Sequence, residues 1–128
     1  MIVYKSPEEI GKMRRAGRIV AGTIERVLAA VRPNVTTAEL DSVAEGYILE
    51  QGATPSFKGY GGGAGAGRVP FPASICTSIN DEIVHGIPSP RRVLAAGSIV
   101  SVDVGVQLEG LHADSATTIP VGDVSPEA

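Results

Sequence analysis

The strongest constraint on the fold lies between residues 99 and 119. Val100, Val102, Val104 and Val106 alternate with Ser101, Asp103, Gly105 and Gln107. A period of two marks a strand with one buried face. Glu109-Gly110 offers a two-residue turn, and a second extended run, "LHADSATTI", follows it. A turn at that point sets Leu108 against Leu111, Gln107 against His112, Val106 against Ala113 and Gly105 against Asp114. Residues directly opposite share a face, so Asp103 and Asp114 become diagonal neighbours, their Cβ atoms somewhat under roughly 7–8 Å apart. A slip of one residue would send them to opposite faces. The valine stripe selects the unslipped register.

Strands disfavour aspartate, and two carboxylates on one face repel when both are ionised. Three arrangements relieve that repulsion. The pair can share a proton, face solvent as an ordinary polar surface, or hold cations between them, as two-metal sites with ions about 3.5–4 Å apart do. Gly105, on the same face, leaves room for an ion or ligand. His112 lies on the aspartate face too. His85 sits in "NDEIVHGIP", a turn-rich setting from which an imidazole can project into a cleft. Taken alone, a histidine of this kind is more often structural than catalytic.

Upstream, Ser6-Pro7-Glu8-Glu9 carries an N-cap, a proline for the first helical position and a capping box. Ile10, Met13, Gly17, Val20, Ile24, Val27, Leu28 and Val31 follow helical spacing up to the stop at Pro33. Thr36 with Glu39 opens a second helix, with Leu40, Val43, Ala44, Tyr47 and Ile48 as its buried stripe and Gly52 beyond its end. Residues 59–72, "GYGGGAGAGRVPFP", are too rich in Gly and Pro for a regular element. The fragment Gly61, Gly63, Ala66 follows a helix rather than a strand, which argues against a dinucleotide loop. Residues 73–79 read as a short buried strand and 80–90 as turns with a brief extended piece. Helices grouped before strands predict an α+β domain, with two helices packed on a mostly antiparallel sheet.

The chain has 128 residues, 43% of them apolar, enough for one domain with a core. A net charge of −3 with scattered basic residues favours neither nucleic acid nor an anionic membrane. No apolar run approaches the roughly 20 residues that span a bilayer, and "MIVYKSPEE" lacks a secretory pattern. The single cysteine, Cys76, excludes an internal disulfide and reads as a small buried apolar group. A cytoplasmic protein is expected.

Together, "PASICTSINDEIVHGIP" and "SIVSVDVGVQLEGLHADSATT" resemble the type I methionine aminopeptidases of the pita-bread metallopeptidase class. The spacing is specific, with 18 residues from His85 to Asp103 and 11 from Asp103 to Asp114. "GATPSFKGY" and the two helices extend the likeness over nearly the whole chain. The resemblance implies half of a pita-bread fold, the N-terminal half of the catalytic domain spanning residues 1–128. It implies removal of the initiator methionine from nascent polypeptides at two divalent ions (cobalt, manganese, iron or zinc). Asp103 would chelate one ion and Asp114 would bridge both. His85 would hydrogen-bond the scissile amide and help stabilise or protonate the transition state, with His112 behind the ligands. Phe57, Tyr60, Phe71 and Cys76 would line the pocket for the methionine side chain.

Two features depart from the pattern. The family's remaining ligands, a histidine and two glutamates, lie in the second half of its chain, and only Glu127 follows the hairpin acids and Asp123 here. The isolated chain is therefore expected to lack a complete metal site, and to self-associate or pair with a second half. The insertion at residues 61–67 is the other departure. Two readings compete with the aminopeptidase: a related pita-bread hydrolase acting on Xaa-Pro bonds or creatine-like substrates, and a non-enzymatic binding module on the same fold.

Overall fold

The computed structural model describes residues 2–62 and 69–128. Its elements run α1 (Pro7–Ala30), α2 (Thr37–Glu50), β1 (Thr54–Pro55), β2 (Ile75–Ile79), β3 (Ile99–Leu108) and β4 (Leu111–Pro120). Both helices begin as the sequence predicts. The Ser6 and Thr36 hydroxyls accept from the N–H of Glu9 and Glu39, whose carboxylates accept from the cap N–H in return. Those backbone N–H groups hold both glutamate carboxyls below their ordinary range. Gly52, past the end of α2, takes φ 71°, which L side chains avoid.

β3 is the central plank of an antiparallel sheet. β4 pairs along one side of it, and β2 and β1 share the other. The hairpin register is the one the valine stripe demands: Leu108 pairs with Leu111, Gln107 with His112, Val106 with Ala113 and Gly105 with Asp114. Glu109 and Gly110 both have positive φ, 50° and 81°, as a type I′ turn requires. Glutamate is an uncommon choice there. Its carboxylate is held by Arg15 at 2.6 Å and Lys12 at 3.7 Å, so the turn is also tied to α1.

Val100, Val102, Val104 and Val106 are fully buried beneath the helices with Val27, Leu40, Ile48, Ile75, Leu94 and Val121. Burying such a side chain is worth about 1.5–3 kcal/mol, so this face of β3 anchors the core. α1 meets the sheet on a different line from the expected stripe. Ala16, Ile19, Val20, Thr23 and Val27 are buried, whereas Ile10 and Met13 remain 40% and 36% exposed. Small Ala16 and Thr23 let the helix approach the strands, and the Thr23 hydroxyl is satisfied by the Ile19 carbonyl at 2.7 Å. In α2, Leu40, Ala44 and Ile48 are buried as expected, but Val43 is exposed.

Three further differences from the sequence reading have local causes. The strand expected at 73–79 begins at Ile75, because the N–H groups of Ser74 and Ile75 are taken by the Asp41 carboxylate of α2 at 2.8 and 3.0 Å. β1, two residues long, is too short to leave a periodic signal. No strand forms within 80–90. The glycine-rich reading of residues 61–67 falls mostly outside the described residues, at 63–68.

Candidate active site

The face of the sheet opposite the helices presents the polar residues singled out from the sequence. Cys76 pairs with Asp103, and Asp103 with Ala116, so the thiol and the carboxylate share that face. Asp114 joins them from β4, opposite Gly105. The Gly105 position is not open, as the sequence suggested. A side chain there would meet the Phe57 ring at 2.5 Å. Glycine is needed because the ring lies flush on the strand, and the space goes to the aromatic wall rather than to an ion.

A cavity of about 700 Å³ opens over this face. Phe57, Tyr60, Phe71, Cys76, His85, Asp103, His112 and Asp114 all border it, so the structure gathers every residue singled out from the sequence. The aromatic wall is built locally. Tyr60 N–H donates to the Phe57 carbonyl, and Gly59 and Tyr60 exchange backbone bonds with Phe71. Phe57 and Phe71 then meet edge to face, centroids 6.5 Å apart.

The acids are held unequally. Asp103 Oδ1 is buried with no hydrogen-bond partner. Burial, reinforced by the charge of Asp114, raises its carboxyl above the ordinary range, against a smaller opposing pull from His85. An orphaned buried carboxylate oxygen costs stability unless a donor or cation meets it. Oxygen donors of this kind suit divalent ions, so Asp103 and Asp114 fit a metal as two of its ligands. Among the described residues no third His, Cys, Asp or Glu completes such a group. Cys76 is the opposite case. Burial first, then Asp103 and Asp114, push its thiol up to about 11, so it stays protonated and uncharged near neutral pH.

The histidines are fixed by different means. His112 Nδ1 lies 2.8 Å from the Ser56 hydroxyl, and Ser56 N–H donates to the Gly105 carbonyl at 2.9 Å. His85 takes φ 60°, an uncommon conformation for a side-chain-bearing residue, of the kind that gathers at functional sites. Gly86 follows it with no room for a side chain, since a Cβ there would sit 2.0 Å from the Thr77 carbonyl oxygen. Sequence reasoning missed Ser56, Ile87 and Ala113 as cavity residues. Of these only Ile87, beside the histidine in "HGIP", carried a signal.

The fold and its cavity define half of a pita-bread α+β unit, with one carboxylate pair and two histidines facing a common space. The profile of metallopeptidase family M24 matches residues 11–128, and the chain belongs to that family. It is 52% identical over 128 residues to a methionine aminopeptidase of Clostridium acetobutylicum, covering 100% of this chain and 48% of that protein. It superposes on the methionine aminopeptidase of Rickettsia prowazekii with a TM-score of 0.89 at 38% identity, covering 99% of this chain and 48% of the other. Against an Xaa-Pro dipeptidase of Bacillus anthracis the TM-score is 0.77 at 26% identity, covering 96% and 31%. The chain thus spans about half the length of the aminopeptidases it matches. No helix among the described residues is long and apolar enough to cross a membrane.

Proposed function

We propose that this chain is the N-terminal half of a methionine aminopeptidase catalytic domain that removes the initiator methionine from nascent polypeptides in the cytoplasm. The observation that carries the reading is the unpartnered Asp103 Oδ1 beside Asp114, facing a cavity that two histidines, three aromatic rings and the Cys76 thiol also border. The sequence likeness to aminopeptidases over the full chain, higher than to the Xaa-Pro dipeptidase, favours methionine over proline specificity.

Asp103 and Asp114 would hold two divalent ions, with the remaining ligands supplied from outside the described residues. Bound there, the ions would polarise the scissile carbonyl and lower the pKa of a bound water toward neutral. The chain's own residues do the rest. Phe57, Tyr60 and Phe71 bury the flexible methionine side chain, and the neutral Cys76 thiol adds a soft contact for its thioether. His85 donates a hydrogen bond to the scissile amide and supplies a proton as the bond breaks. Ser56 orients His112, which supports the acids from behind.

The test is a peptidase assay in the enzyme carrying the complete ligand set, with Met-Ala-Ser and an Xaa-Pro peptide side by side. Cleavage of the methionine peptide should dominate. Asp114→Ala should lower it by at least about 100-fold, the scale lost when even supporting groups around a metal are removed. The 128-residue chain alone, given cobalt or manganese, should show little turnover. Equal cleavage of both peptides would favour the related hydrolase. Metal binding unaffected by Asp114→Ala would favour a binding module.

A further inference from the structure

The loop that carries His85 leaves β2 at Ile79 and returns to the helical layer near Thr37. Between those points it has no regular structure, yet it holds a histidine in a left-handed conformation. What holds it lies along the outer edge of β2. On its inner edge β2 pairs with β3. On the outer edge, Thr77 N–H donates to the Gly86 carbonyl at 2.8 Å, and Ile79 N–H donates to the Glu82 carboxylate at 2.8 Å. The Thr77 carbonyl accepts from the Arg92 guanidinium at 3.2 Å.

Arg92 is the point where these contacts meet. Its Nη1 also donates to the Ile87 carbonyl at 2.9 Å, and its Nη2 is paired with the Glu82 carboxylate. Its own backbone carbonyl accepts from Thr37 N–H at the start of α2, at 2.8 Å. One planar guanidinium therefore joins the strand edge, the segment before His85 and the segment after it. Lysine, with a single ammonium, lacks that fork. Gly86 is pressed onto the same Thr77 carbonyl that Arg92 caps.

We propose that Arg92, braced by Glu82, is a positioning residue that fixes His85 over the cavity by clasping both flanks of its loop to β2. Arg92 does not border the cavity, so it acts through the loop. The role assigned to His85 rests on the peptidase reading above, whereas the clasp itself does not.

Two measurements separate these layers. Hydrogen exchange on the chain should show Thr77 and Gly86 amides about tenfold faster in Arg92→Met, with the Val20 and Val27 amides of α1 unchanged. In the active enzyme carrying this chain, kcat should fall about 10–100-fold, the scale that misplacing a reacting group by an ångström costs. KM should stay within about twofold, because the aromatic wall is untouched. Arg92→Lys should recover only part of the loss. Should Arg92→Met fail to fold, Glu82→Gln serves instead, with the same local pattern at smaller amplitude. Unchanged exchange at Thr77 and Gly86 would overturn the clasp. Faster exchange with unchanged kcat, in an enzyme that Asp114→Ala inactivates, would overturn the positioning role. An Asp114→Ala enzyme that works at the parent rate would overturn the peptidase reading instead, and faster local exchange would still support the clasp.

Discussion

The two faces of β3 are built from the same strand and do opposite work. On one side four valines lie fully buried against the helices. On the other, Asp103 keeps an oxygen without a partner and Gly105 gives its space to a phenyl ring. The valine face is satisfied by the fold itself. The aspartate face is left incomplete, which suits a surface that waits for a ligand. Alternation along one strand thus lets the core and the candidate site sit one residue apart and still be changed separately.

The sharpest way to break this comparison is to place the same residue type on the wrong face. Val102→Asp should prevent stable folding, since an unpaired charge in the core costs several kcal/mol. Urea unfolding would show no cooperative native baseline. Its neighbour should respond in the other sense. Asp103→Asn removes a carboxylate whose charged form is disfavoured by burial and by Asp114, so metal-free stability should hold or rise, while in the enzyme with the proposed complete ligand set metal affinity should drop about 10–100-fold or more. A variant that loses stability and affinity together would show that the faces are coupled.

A smaller change tests the boundary between the faces. Gly105→Ala should displace the Phe57 ring and cost about 1–3 kcal/mol, as overpacking does. In the enzyme with the complete ligand set proposed above, its KM for methionine peptides should rise more than that of Thr36→Ala, which serves as a remote control. The least effect is expected from the capping boxes. The Glu9 and Glu39 carboxyls are lowered by the backbone N–H groups of Ser6 and Thr36. Their contribution is therefore present above the unfolded carboxylate pKa and fades as pH falls through the lower folded values. Thr36→Ala should cost about 1 kcal/mol at neutral pH, and Glu39→Gln should flatten the acid limb of the stability profile.

The hairpin was legible in the sequence because two local signals agreed, a period of two and a two-residue turn, and together they fix a register. The helix starts were legible because a capping box is contained within four residues. The face of α1 was not, because apolar residues occur on more than one side and only contact with the sheet decides between Ile10 and Ile19. The cavity wall was legible only through family resemblance, since nothing local in "SFKGY" says that Phe57 will cover Gly105. The clasp of Arg92 was invisible. It joins Thr77, Glu82 and Ile87 through a loop shape that has no periodicity to read.

The type I′ turn at Glu109-Gly110 also bears on the order of assembly. Asp103 and Asp114 are 11 residues apart in the chain, and hairpins of this kind close in about 1–10 μs. Cys76 and His85 reach the same face only after a longer closure, and Asp41 must find Ser74 and Ile75 across more than 30 residues. The two carboxylates should therefore meet while the rest of the cavity is still unformed. A divalent ion present at that moment would relieve their repulsion and hold the arms together, so metal should speed refolding as well as stabilise the product.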